Sequence, residues 1–295
     1  MDILLTGGSG TVGWKILDRA EPQGCLRYTY RSSDVEHPNA VGHELDVRDG
    51  EAVSELVSGF EPDAVVHSAA MTDVDGCERD PERAREVNVG GTRNLVEATA
   101  EVNAYFAFIS TSFVFDGTEH PHDEDDEKNP VNEYGKTKAL AEDVVVEADV
   151  PCSILRTDQP YGWTEPWQNE TMVEWILDEL DDEGEVKVFD DWYNVPTYLP
   201  DLVEAVLEIT RAEKEGIYHA VGPDYLSRYE WTLKIADVFG YDASRIEPIS
   251  SDTVGLPAER PNAYIRNDSV TEATGRQFAS IRSGIESMKD ARNPD

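Results

Sequence analysis

The first apolar run, Ile3-Leu4-Leu5, is followed at once by Thr6-Gly7-Gly8-Ser9-Gly10-Thr11-Val12-Gly13, and then by Trp14-Lys15-Ile16-Leu17-Asp18-Arg19-Ala20, whose apolar spacing predicts an amphipathic helix. The same order of short apolar strand, turn and helix recurs. Strands are predicted at 25–30, at a short third run closed by Asp46-Val47, at 63–70, 105–109 and 152–157. Helices are predicted at 52–58 and 81–102, and again after Asn132, which can act as an N-cap. Beyond residue 160 the pattern changes to aromatic, loop-like segments, Pro160-Tyr161-Gly162-Trp163 and Pro166-Trp167-Gln168. Further helices follow near 171–180, 200–211, 231–239 and 281–288, with strands at 186–189 and 216–221. There is no internal repeat and no flexible linker. The expectation is an α/β protein: a cofactor unit over 1–160, and a smaller lobe over 161–295 of which about 195–215 returns to the main sheet.

Glycines at 7, 10 and 13 between a strand and a helix are the spacing of a turn that lets a dinucleotide's pyrophosphate approach the backbone. The helix beginning at Thr11 would aim unpaired N–H groups and a partial positive charge at the phosphates. This predicts a Rossmann-like doubly wound parallel sheet, with Gly7, Ser9, Gly10, Thr11, Val12 and Gly13 on the cofactor. Asp46-Val47 and Ala69-Ala70, at the ends of the third and fourth strands, are assigned to the same site. The second strand ends in Arg31-Ser32-Ser33 with no carboxylate before Asp34. An arginine with neighbouring hydroxyls suits a 2′-phosphate, so NADPH is expected, with NADH as the alternative.

Charge changes the picture more than composition does. The net charge of −36 stands beside an ordinary 39% hydrophobic content, and only 8 of the 25 basic residues are lysine. A foldable chain with acids spread along its length suits molar salt, where screening shortens to about 3 Å. The same field argues against nucleic acid or anionic membrane as a partner. With no charged-then-apolar leader and no apolar run near 18 residues, a cytoplasmic protein is expected. Cys25, Cys77 and Cys152 lack metal-ligand spacing and read as small core residues.

The candidate chemistry lies at the end of the fifth strand and in the helix after Asn132. Ser110-Thr111-Ser112 ends a strand where open α/β sheets place ligands. Tyr134 and Lys138 stand one helical turn apart, so an ammonium beneath a phenol would lower its pKa from about 10 toward neutrality. His67, alone in an apolar strand, reads as a hydrogen-bonded core residue. The run from His120 to Glu127 reads as a solvated acidic loop rather than a metal cage, and no metal is expected. Gly90-Gly91, inside a predicted helix, implies close packing against another backbone, with a second copy of the chain as one candidate and hence a homodimer.

With these residues in order, the chain resembles the extended short-chain dehydrogenase/reductases, and within them the dTDP-4-dehydrorhamnose reductases, over nearly its whole length. The resemblance is carried by Gly7-x-x-Gly10-x-x-Gly13, His67-Ser68-Ala69-Ala70, Val87-Asn88-Val89, Ile109-Ser110-Thr111 with Val114-Phe115-Asp116-Gly117, Tyr134-Gly135-Lys136-Thr137-Lys138, and Leu155-Arg156-Thr157. It implies a catalytic set of Thr111, Tyr134 and Lys138, with Tyr134 and Lys138 also touching the cofactor, and a 4-keto nucleotide sugar as substrate. Ser112-Phe113 and Asp158-Gln159-Pro160-Tyr161-Gly162 depart from the reductases' usual pattern near the expected sugar pocket. Three functions follow: a keto-sugar reductase for rhamnose or a related deoxysugar, a nucleotide-sugar epimerase on the same scaffold, or a non-catalytic NADP-binding regulatory subunit resembling the partner of methionine adenosyltransferase. A dehydratase is disfavoured, because it needs a pair of carboxylates close to Thr111 and Ser112-Phe113 offers none.

Overall fold

The computed structural model describes residues 1–20, 24–33, 35–118, 121–182 and 184–292. Asp34 and His120, both used in reading the sequence, lie outside the described residues. In the first half the elements are β1 (Ile3–Thr6), α1 (Thr11–Arg19), β2 (Leu26–Tyr30), β3 (Val41–Glu44), α2 (Gly50–Phe60), β4 (Ala64–His67), α3 (Val74–Arg79), α4 (Pro81–Arg85), α5 (Gly91–Glu101), β5 (Tyr105–Thr111), α6 (Glu133–Glu147) and β6 (Cys152–Thr157). There follow β7 (Pro160–Tyr161), α7 (Met172–Asp181), β8 (Val186–Phe189), β9 (Tyr193–Asn194), β10 (Thr197–Tyr198), α8 (Leu199–Arg211), β11 (Gly216–His219), β12 (Leu226–Ser227), α9 (Arg228–Phe239), β13 (Ile246–Ile249), α10 (Asp268–Thr274) and α11 (Ile281–Arg292).

Seven of these strands form one parallel sheet in the order β11-β6-β5-β4-β1-β2-β3. All four residues of β4 are buried because helices cover both faces of the sheet. On one face Ile16 and Leu17 of α1 pack with Leu202 and Val206 of α8. On the other, Val53 and Val57 of α2 join Leu95 and Val96 of α5 and Val145 of α6. The late chain therefore re-enters the first unit twice, as the helix α8 and as the edge strand β11. The lobe has its own core, in which Trp231 and Ile235 of α9 meet Val173 and Ile176 of α7 and Ile285 of α11. No helix among the described residues is long and apolar enough to cross a membrane.

One expectation needs correction here, and another is refined. The third strand ends at Glu44, and Asp46-Val47 lies beyond it, because the Asp46 carboxylate accepts from the backbone N–H and the guanidinium of Arg48 and turns the chain toward α2. Helix 81–102 is continuous but widens into a π turn at Glu86–Gly90. Gly91 packs closely, as its place in the helix implied, against the Val47 segment of the same chain: a Cβ there would come within 2.5 Å of Val47 Cγ2 and 3.6 Å of Val47 C, whereas one on Gly90 would meet nothing within 4 Å.

Candidate active site

Strand order reverses between β1 and β4, and a crevice opens at the C-terminal ends of these strands. It is a cavity of about 760 Å³. Gly7 takes φ +71°, and a Cβ there would lie 2.8 Å from Ala69 N; one on Gly13 would lie 2.2 Å from Gly7 O. The turn closes through Gly10 N–H donating to Gly7 O at 3.0 Å. Gly10, at the N-cap of α1, provides no side-chain acceptor. First-turn N–H groups therefore remain available to an anion, as a diphosphate cradle requires.

The structure gathers every cofactor residue named from the sequence around this one cavity. Gly7, Ser9, Gly10, Thr11, Val12 and Gly13 line it, as do Arg31, Asp46, Val47, Ala69 and Ala70. Thr111, Tyr134 and Lys138 line it as well. Arg31 is exposed at the end of β2. The Arg48 hydrogen bonds hold the Asp46 carboxyl below its usual range, with a smaller contribution from the charge of Arg31. Asp46 is thus committed to Arg48.

Helix α6 begins where Asn132 Oδ1 accepts from Gly135 N–H at 2.8 Å. That start sets Tyr134 beside the end of β5, with the Phe113 ring edge-on at 5.7 Å. Phe113 N–H donates to Thr111 Oγ1 at 3.2 Å, which leaves the threonine proton free to donate. Thr111 donates toward the Tyr134 oxygen and so favours the phenolate, yet burial dominates and lifts the phenol above its ordinary value. Lys138 does not acidify Tyr134 as expected. Its Nζ donates to Ile109 O at 2.7 Å and lies 3.9 Å from the centre of the Phe108 ring. Burial lowers its own pKa to about 7, against the opposing charge of Glu142.

His67 is a core residue. Its Nδ1 lies 2.7 Å from Thr6 Oγ1 and its Nε2 3.1 Å from Thr92 Oγ1, and burial first, then the charge of Lys138, pulls its pKa down to about 3. The acidic loop keeps Asp123, Asp125, Asp126 and Glu127 exposed, as expected, while two of its residues turn inward. His122 stacks on Phe115 at 4.3 Å, Glu124 O accepts from Arg156 Nη1 at 3.1 Å, and the Glu124 carboxylate accepts from His219 N–H at 3.2 Å. Among the described residues no group of His, Cys, Asp and Glu is placed to hold a metal.

Asp158, marked in the sequence only as part of the 158–162 departure near the expected sugar pocket, was not among the candidate site residues. It follows Thr157, which is in register with Thr111, and it lines the cavity although only 3% exposed. Its carboxylate accepts from Val195 N–H at 2.7 Å. Burial pushes its pKa up to about 6, opposed by hydrogen bonds from Val195, Ser112 and Asn194 and by the charge of Arg228. Its place at a strand end was the available signal. Asp158 is one acid near Thr111 where dehydration needs a pair, so the argument against a dehydratase stands. The lobe also closes over the glycine turn. Gln168 Nε2 donates to Ser9 O at 3.0 Å, Glu165 pairs with Lys15 at 3.3 Å, and Trp167 packs edge-on against Trp14 at 4.9 Å.

Comparison with known proteins places this arrangement. A family profile described as the RmlD substrate binding domain matches residues 1–293. Over 98% of the chain and 84% of the relative, the sequence is 32% identical to a dTDP-4-dehydrorhamnose reductase of Mycolicibacterium smegmatis. Over 96% and 85% it is 30% identical to methionine adenosyltransferase 2 subunit beta of Rattus norvegicus. A crystal structure of a dTDP-4-dehydrorhamnose reductase from Clostridium acetobutylicum superposes with a TM-score of 0.86 over 99% of both chains, at 27% identity.

Proposed function

The chain belongs to the RmlD substrate binding domain family, and from that premise we propose that it is an NADPH-dependent reductase of a 4-keto nucleotide sugar, acting in the synthesis of rhamnose or a related deoxysugar. One observation carries this reading: Thr111, Tyr134 and Lys138 line the same cavity as the glycine turn at 7–13. NADPH, when bound, supplies the hydride. The 7–13 turn would hold its diphosphate, Arg31 its 2′-phosphate, and the Ala69-Ala70 backbone would pass alongside it. Tyr134 gives its proton to the carbonyl oxygen as negative charge develops there. Thr111 donates a hydrogen bond to the same oxygen, and Lys138 adds positive charge from below. The raised pKa of the phenol keeps the proton on Tyr134 until that charge appears.

An enzyme of this kind works where its nucleotide sugar and NADPH are, in the cytoplasm. The net charge of −36 supports a working medium of molar salt. We divide the chain into a cofactor unit over 1–160, joined by α8 and β11, and a substrate lobe made from most of the rest.

The test follows NADPH absorbance with a panel of 4-keto nucleotide sugars in molar potassium chloride. Turnover of one member is expected. If none is reduced and the protein co-purifies with a synthetase, the likeness to the methionine adenosyltransferase subunit is the better guide and the regulatory reading replaces this one.

A further inference from the structure

The lobe segment between β7 and α7 is fastened at both ends to one carboxylate. Glu174 Oε1 accepts from Thr164 N–H and Oγ1 at 2.8 and 2.9 Å, and Glu174 Oε2 accepts from Thr171 N–H and Oγ1 at 2.8 and 2.9 Å. The tip between these ends is closed on itself. Gln168 N–H donates to Glu165 O at 2.9 Å across a turn with Pro166 in second place, and Glu165 N–H donates to Gln168 Oε1 at 3.0 Å. A short loop with pinned ends and a self-bonded tip moves as one body about those ends.

Three weak contacts hold the tip against the glycine turn and the start of α1. They are the Gln168 Nε2 hydrogen bond to Ser9 O, the partly exposed Lys15–Glu165 pair, and the edge of Trp167 on Trp14. No buried apolar surface reinforces them: Pro166, Trp167, Asn169 and Glu170 are exposed, Trp167 by 38%. A segment with so few buried contacts opens at low cost. Beyond the tip, Asn169, Glu170, Thr171 and Met172 line the same cavity as Gly7, Gly10 and Gly13. The loop thus walls the cavity at the glycine cradle. Its three contacts are made between protein groups alone, so they act on the loop in the same way whether or not a dinucleotide lies in the cradle.

We propose that residues 165–170 form a hinged clasp over the dinucleotide cradle, turning about Thr164 and Thr171, which lifts to let the dinucleotide in or out and thereby sets its rate of exchange. A clasp held by protein contacts changes entry and exit together. Weakening it speeds both and leaves affinity nearly unchanged, because it does not distinguish the free from the bound state. The inference rests on dinucleotide binding at the 7–13 turn and not on turnover of a sugar.

Stopped-flow nicotinamide fluorescence in molar potassium chloride measures both rates, association on mixing with NADPH and dissociation on chasing with excess NADP⁺. Gln168→Ala should raise each by about 3–10-fold, the effect of one neutral hydrogen bond, and Gln168→Ala with Trp167→Ala by about 10–100-fold, with the dissociation constant within about threefold of the parent. Arg276→Ala is the control: it removes ion pairs to Glu204 and Glu208 of α8, none of which lines the cavity, and should move neither rate. Unchanged rates in both clasp variants overturn the proposal. A rise in dissociation alone also overturns it, since that is the mark of a direct contact with the ligand. Equal acceleration in the Arg276 variant does the same by showing a general loosening of the lobe. A parent that binds no NADPH overturns the clasp and the cofactor assignment together, whereas the expected rates without sugar turnover count against the reductase reading alone.

Discussion

Glu142 and Asp158 are both buried carboxylates, one behind the catalytic helix and the other on the cavity wall, and they have been treated in opposite ways. Glu142 accepts from Ser110 Oγ at 2.6 Å and from Arg156 Nε and Nη2 at 3.0 and 2.8 Å, with Lys128 Nζ 3.5 Å away. Burial works to raise its pKa, yet these partners hold it below the usual carboxylate range. Asp158 draws its hydrogen bonds from neutral groups, and burial wins. The lesson is that burial alone does not decide what a charge does; its partners do. Behind α6, a saturated ion pair ties the helix to β5 and β6. At the cavity wall, neutral donors hold Asp158 in place of an ion pair.

The comparison predicts that changes on the cavity side remove chemistry without unfolding the protein, and that changes behind α6 do the reverse. The largest expected effect is on the cavity side. Tyr134→Phe keeps the ring against Phe113 and deletes the proton, so keto-sugar reduction should fall by about 10²–10⁴-fold with NADPH binding unchanged. A rate within about threefold of the parent would show that Tyr134 only packs.

On the other side, Glu142→Ala strands the Arg156 guanidinium, which is only 1% exposed. Denaturant titration should show a loss of about 3–5 kcal/mol, the usual consequence of removing one member of a buried pair. Asp158→Asn should change stability by less than about 1.5 kcal/mol in the same measurement, since its acceptor for Val195 N–H survives. Equal losses in the two variants would erase the distinction drawn between the regions.

Smaller effects sharpen the cavity side. Arg31→Ala should weaken NADPH by about 1.5–3 kcal/mol while leaving NADH nearly untouched, as measured by fluorescence titration. Equal weakening of both would give Arg31 another role. The pH dependence follows from Lys138, whose pKa in the fold is about 7. The lysine is charged below that value, so the kcat/KM for the keto-sugar should decline as pH rises through about 7, by up to about tenfold per unit above it. The sign for stability is the reverse. The folded pKa lies below the unfolded one of about 10.4, so the contribution of Lys138 to stability is complete above the unfolded value and is lost as pH falls toward 7. A Lys138→Met protein with the same pH–rate limb as the parent would assign that limb to another group.

Much of the fold was legible because its signals are local. The glycine turn, the Asn132 cap, the Tyr134 and Lys138 spacing and the buried β4 each depend on residues within a turn or two of one another, where sequence and conformation are tightly linked. His67 could be assigned to the core for the same reason: it stands inside an apolar strand. Tertiary structure alone decided the rest. That Lys138 spends its charge on Ile109 O, that Arg156 closes on Glu142, that Gln168 reaches back to Ser9, and that α8 covers the sheet face beside α1 are matters of which distant segments meet. So is the difference between Glu142 and Asp158, for an acid's pKa depends on desolvation and on the partners within a few ångströms, and neither is written in its neighbours along the chain.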